Sequence, residues 1–156
     1  NDGKKRKHSC FLRDLASVAR GNPGVALAIW RRALRDRPEE EAGTEESGPG
    51  SSDGGSVTRA WVIPFDQLGL PAVPQSQGDN IGLLLHALLL HDGLDASHLQ
   101  LVTGVAEHEA GFVLARLARA DLIEQQSSGG RWQGTAQGYP SIRRHLQSWG
   151  FPVDTF

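Results

Sequence analysis

The chain has 156 residues, 38% hydrophobic and 22% charged, with a formal net charge of −2 at neutral pH. Those values suit one soluble domain or two small joined units, and no stretch reaches the ~20 consecutive apolar residues of a membrane span. The single cysteine, Cys10, excludes an intramolecular disulfide and fits a reducing, cytoplasmic setting. The opening "NDGKKRKHS" puts no apolar region behind its charges, so it is not a signal peptide. Without an initiator Met, the chain reads as a segment of a longer protein. Charge is uneven: residues 1–40 hold ten Lys/Arg against five Asp/Glu, residues 41–77 one against five, and residues 78–156 five against eight. The C-terminal half is therefore acidic, the reverse of what phosphate neutralisation asks of a nucleic-acid binder.

In chain order, the first predicted element is a helix over "SCFLRDLASVAR", with Phe11, Leu12, Leu15, Val18 and Ala19 on one stripe. Gly21 suits a left-handed stop, Asn22 an N-cap and Pro23 a first helical position. "VALAIWRRALRDR" continues as a second helix, with Leu27, Trp30, Ala33 and Leu34 on one face and Arg31, Arg32 and Arg35 largely outside it. A hairpin spanning 1–38 is too small to bury its own stripe and must pack on something else. Residues 39–56, "EEEAGTEESGPGSSDGGS", are acidic, rich in Gly and Ser and without an apolar anchor, so they read as a disordered linker.

A second unit is expected over 57–156. Val57, Thr58, Trp61, Val62 and Ile63 favour a strand, which Pro64 stops. A core helix follows over 80–91, capped by Asp79 or Asn80. A short helix starts at Asp95 or Ser97, and a third runs through "AEHEAGFVLARLARA" with Val113, Leu114 and Leu117 inward. "LIEQQ" and "RWQGT" make a hairpin around a tip at Ser127 to Gly130. A last helix starts near Pro140, carries Tyr139, Ile142, Leu146 and Trp149 at helical spacing, and ends at Gly150. The expected fold class is mainly α with a small β-hairpin wing: a helical hairpin followed by a winged helix-turn-helix domain.

Two resemblances follow from these residues. "VLARLARADLIE", the Gly-rich tip and "TAQG" resemble the third helix and wing of MarR-like winged helices, over roughly residues 80–150. In that family a Leu-x-x-Leu-x-x-Ala-Gly-Leu-Ile run leads into Thr-x-x-Gly; here Asp121 replaces the Gly, and Asp tolerates a left-handed conformation. "ARGNPGVALAIWRRAL" is similar to the lid of AAA+ ATPases, where a Gly-x-x-Arg-x-Ala-Leu pattern opens a helix and the Arg senses the nucleotide's phosphates. Gly24 stands at that sensor position, so this lid lacks the cation. A winged helix after such a lid is a known arrangement of the family. ATP and Mg would then belong to an upstream nucleotide-binding domain.

The chain itself has no Gly-x-x-x-x-Gly-Lys-Ser/Thr cradle, no Gly-x-Ser-x-Gly elbow and no metal-ligand spacing. His86 and His91 are five apart on a helix and turn away from each other, and Cys10 reads as a small buried thiol. No catalytic, cofactor or metal residue is assigned, and the chain is expected not to be an enzyme. The candidate contact residues are Phe112, Arg116, Arg119, Arg131, Arg143 and Arg144. At the turn that would meet base edges stand Glu107, His108, Glu109, Gly111 and Phe112; two carboxylates and a bare aromatic suit a protein partner better than a polyanion. DNA is therefore a possible but disfavoured partner. "KKRK" at 4–7 reads as a solvated basic run. These residues imply a non-catalytic lid and winged-helix segment acting through protein contacts; the alternative is a MarR-like DNA-binding regulator.

Overall fold

Lys and Arg are good helix formers, and in the computed structural model they extend the first helix well beyond its apolar stripe: α1 spans Gly3–Ala19. The structure describes residues 3–35, 61–75, 80–126 and 130–153. The expected linker over 39–56, the strand residues Val57 and Thr58, the cap candidate Asp79 and residues 127–129 of the tip lie outside them. Arg20 and Gly21 turn the chain with φ of 46° and 80°. The side chain of Asn22 then accepts the Val25 N–H at 3.1 Å and opens α2, Pro23–Ala33, with Pro23 in the first turn.

The buried stripe of α2 is Val25, Ile29 and Ala33, an i, i+4, i+8 line. That corrects the face expected from the sequence: Leu27 points outward at 48% exposure, and so does Leu12 of α1 at 56%. The opposing stripe of α1 is Phe11, Leu15 and Ala19. What closes this cluster comes from much later in the chain. β1, Leu34–Arg35, pairs antiparallel with β2, Trp61–Val62, in the register Leu34 to Val62 and Arg35 to Trp61. A 3-10 turn at Phe65–Gln67 follows, placing Phe65 edge-on to Phe11 at 5.8 Å; Trp30 is also edge-on to Phe11, at 5.7 Å. Buried Leu68 completes the cluster, with Val62, Ile63, Leu70 and Tyr139 packed around it. The stripe that the sequence leaves wanting a partner is thus covered by the chain's own residues 62–70.

The larger core belongs to the C-terminal half. α3, Asn80–Leu90, is apolar nearly all round and buries Ile81, Leu84, Leu85, Ala87 and Leu88, as expected of a central helix. α4, Ala96–Thr103, is short and contributes Leu99; α5, Glu107–Arg119, contributes Ala110, Leu114 and Leu117. β3, Ile123–Gln125, and β4, Trp132–Gly134, form an antiparallel pair in the register Ile123 to Gly134 and Gln125 to Trp132. Leu94 adds a single bridge to Trp132 at the sheet edge, which nothing in the sequence signals. α6, Tyr139–Ser148, returns with Ile142 and Leu146 fully buried. Trp149, expected on that inner face, is instead 51% exposed because α6 has ended one residue earlier. The chain is thus mainly helical, with small antiparallel strand pairs.

The two clusters touch. Arg32 of α2 donates to Gln137 Oε1 at 2.7 Å and to the Gly69 carbonyl at 3.1 Å, and the Ser141 hydroxyl donates to the Pro71 carbonyl. Among the described residues no helix is long and apolar enough to cross a membrane.

Candidate functional site

The candidate contact residues of α5 are positioned by the core on its far side. Ala110, Leu114 and Leu117 face inward. At 100° per residue, the line opposite them holds His108, Phe112, Ala115 and Arg119, and all four are exposed. Phe112 stands at the middle of this line with 77% of its surface in water. Glu107 and Glu109 occupy the first turn, where the helix dipole favours carboxylates, and Arg116 and Arg119 the last, where it favours cations. An aromatic ring has no such local reason to face solvent.

The arginines separate into three kinds. Arg116 donates from Nη2 to the Gln75 carbonyl at 2.9 Å, and Arg131 from Nη2 to the Gly93 carbonyl at 2.7 Å; both guanidinium groups help tie loops to the core. Arg119 and Arg144 are exposed. Arg143 is buried, with 6% of its surface accessible, because it follows Ile142 on the inner side of α6. Its expected place on a contact surface is therefore corrected: a side chain enclosed in this way cannot reach a phosphate or a partner. Arg144, one residue on, turns outward. Glu124 accepts from Gln133 Nε2 at 3.1 Å across the strand pair.

α4, which packs against α5, exposes two apolar side chains. Leu101 and Val102 of α4 are 82% and 49% exposed. The signal was available: with Leu99 buried, Leu101 lies some 200° away around the helix. A strongly apolar short helix hides such an outlier, because its hydrophobic residues do not sort onto one face.

One polar cluster has the composition of a hydrolytic site without its geometry. Asp95 Oδ1 accepts from the Ser97 hydroxyl at 2.8 Å, from the His98 N–H at 2.9 Å and from the His98 ring Nδ1 at 2.8 Å. The serine hydroxyl donates to the carboxylate and not to the imidazole, so the serine–histidine relay of such a site is not formed. The arrangement is an N-cap of α4. The backbone N–H of His98, then the Ser97 hydroxyl and the His98 ring, hold the Asp95 carboxyl well below the usual carboxylate range.

The remaining histidines have local roles. His86 lies 3.1 Å from the Pro152 carbonyl and against the Phe151 ring, and His145 lies beside Trp149, with burial lowering its basicity. Among the described residues no group of three or more His, Cys, Asp or Glu could hold a metal ion. Cys10, expected as a buried thiol, is exposed, because helical spacing turns it away from the stripe of Phe11, Leu15 and Ala19.

The family-like features of the α5–α6 region have physical reasons of their own. Asp121 takes φ of +56°, the left-handed conformation its position requires. The Thr135 hydroxyl donates to the Asp121 carbonyl at 2.6 Å and accepts from the Gly138 N–H at 2.9 Å. A Cβ at Gly138 would fall 2.7 Å from both the Cα and the carbonyl oxygen of Leu122. Thr-x-x-Gly is thus a clasp that docks the start of α6 on the turn after α5. No family model, curated protein or solved structure matches the chain.

Proposed function

We propose that residues 80–150 form a winged helix that works through protein contacts, and that with the helical hairpin before it they make up the non-catalytic lid and winged-helix segment of a P-loop ATPase of AAA+ type. The element order from α3 to α6 and the Thr135–Gly138 clasp support the winged-helix reading. The lid reading rests on the Gly21 to Leu34 stretch, with Gly24 in place of the sensor arginine. One observation carries the protein-contact reading: α5 presents Phe112 at 77% exposure with Glu109 on its flank, on a helix whose first turn carries the exposed carboxylates of Glu107 and Glu109. A polyanion repels those carboxylates and gives the ring nothing to pack on, whereas a protein surface supplies both an apolar seat and cations. Arg116 and Arg131, the cations nearest in role to phosphate contacts, each hold one Nη on a backbone carbonyl of this chain.

The alternative, a MarR-like DNA-binding regulator, is separated by titrating the full chain with short duplexes at physiological salt. The protein-contact reading expects weak binding that lacks sequence preference. Tight capture that falls steeply with salt and drops when exposed Arg119 or Arg144 becomes Ala would establish the regulator instead.

A further inference from the structure

We infer that the occupant of the α5 face is a second copy of this chain, with the two α5 helices paired antiparallel about a two-fold axis passing near Phe112. This rests on the protein-contact reading above and names its partner. Along the face the residues run in the order acid, aromatic, small, base. Glu109 and Arg116 are seven residues apart, hence nearly superposed on one flank of the outward line and about 10 Å apart along the axis. In an antiparallel pair related by a two-fold perpendicular to the helices, each flank meets the same flank of the other copy in reversed order. Glu109 of one copy then faces Arg116 of the other, and the reverse, giving two equivalent ion pairs. Arg116 uses one Nη for the Gln75 carbonyl, leaving its other donors for this contact.

The centre of the face obeys the same symmetry. Phe112 of each copy comes opposite residues 113 to 115 of its mate, and exposed Ala115 and Gly111 offer the low ground that lets a ring seat and the helices approach. His108 and Arg119 close the two ends. The helix dipole alone accounts for acids in the first turn and bases in the last. It does not account for a phenylalanine between them, nor for the small residues on either side of it. A parallel pairing would bring each flank against the opposite one, where Gly111 and Ala118 stand, and would leave Glu109 and Arg116 without an opposite charge, so the charge order selects the antiparallel one.

A single helix pair lies at the low end of interface sizes, below about 1,200 Å2, so the expected dissociation constant is weak, about 100 µM. Sedimentation equilibrium of the full chain up to about 1 mM tests this. The weight-average mass should rise toward that of a dimer, and Phe112→Glu should weaken association by at least about tenfold, with unchanged circular dichroism since the residue is already exposed. Glu109→Arg and Arg116→Glu should each lower self-association, and an equimolar mixture of the two variants should associate again, because both cross-pairs are then of opposite charge. A chain that stays monomeric at the highest concentration overturns the inference. So does a dimer that survives Phe112→Glu but is lost in Leu101→Glu, or a mixture of folded charge variants that stays monomeric. Monomeric behaviour together with no DNA binding removes the second copy as partner and leaves the protein-contact reading standing. Tight DNA capture removes both.

Discussion

The two hydrophobic clusters of this chain are built in opposite ways. The C-terminal one draws on α3, α4, α5 and α6, each next to its sequence neighbour, with Leu84, Leu85, Leu99, Leu114 and Leu117 all fully or almost fully buried. The N-terminal one has only two helices, and its third side, Phe65, Leu68 and Leu70, arrives more than thirty residues after α2 ends, at Ala33. A helical hairpin cannot exclude water from both sides of its stripe. Its stability therefore depends on closing a long loop, whereas the larger unit pays only for short ones. The difference also bears on the proposed function: residues 62–70 cover the buried stripe of the hairpin, whereas Phe112 of α5 and Leu101 of α4 stay 77% and 82% exposed.

The sharpest way to break this comparison is to hollow each core in turn. Leu117→Ala and Ile29→Ala should each cost about 2–5 kcal/mol, since both side chains are fully buried. Their reach should differ. In hydrogen exchange, Ile29→Ala should speed exchange over 3–35 and 61–70 together while α3 to α6 stay protected. Equal acceleration across the whole chain would show one cooperative unit and dissolve the distinction. Within the larger unit, Gly138→Ala should cost about 1–3 kcal/mol in chemical denaturation, because the new Cβ meets Leu122 backbone, which cannot move alone. Gly82→Ala is the control: its Cβ meets the edge of the Phe151 ring, near the C-terminal end of the chain, and the ring can swing aside. A loss at Gly82 as large as that at Gly138 would mean that the tail is held as firmly as the clasp.

Much of this was legible from local rules. The Arg20–Asn22 corner, the helices α3 to α6, the strand pair and the left-handed Asp121 all follow from capping residues, turn residues and hydrophobic spacing, which act over a few residues. What escaped were choices made by distant contacts. Leu12 and Leu27 fit an apolar stripe as well as their neighbours do, and only the approach of Phe65 and Leu68 decides which side of the hairpin is inside. The Leu94 bridge to Trp132 is a single pair with no pattern to announce it. Charge alone places Arg143 on the surface, yet the burial of Ile142 and Leu146 fixes the helix so that position 143 turns inward. The α5 surface was legible because its buried positions are regular, so its exposed line follows by difference.

The two N-caps carry the comparison down to its smallest effects. Asn22→Ala should cost about 1 kcal/mol, mostly in the N-terminal unit, through loss of the bond to the Val25 N–H. An amide does not titrate, so that loss should be the same at pH 7 and in acid.

Asp95 caps α4 with a carboxylate, and its effect should change with pH. The folded state holds this carboxyl below its ordinary value of 3.8, first through the His98 N–H, then through the Ser97 hydroxyl and the His98 ring. A group whose folded pKa is depressed stabilises the fold above the unfolded value and loses that contribution as pH falls toward the folded one. Asp95→Ala should therefore lower the thermal midpoint at neutral pH, and the gap from wild type should narrow as the pH drops below 3.8. His145, whose basicity burial lowers, likewise stabilises the fold above its ordinary 6.5 and loses that contribution as the pH falls below it. It is present in both proteins and cancels from their difference. A gap that stayed constant into acid would mean that Asp95 caps α4 by shape alone, as Asn22 caps α2, and not by charge.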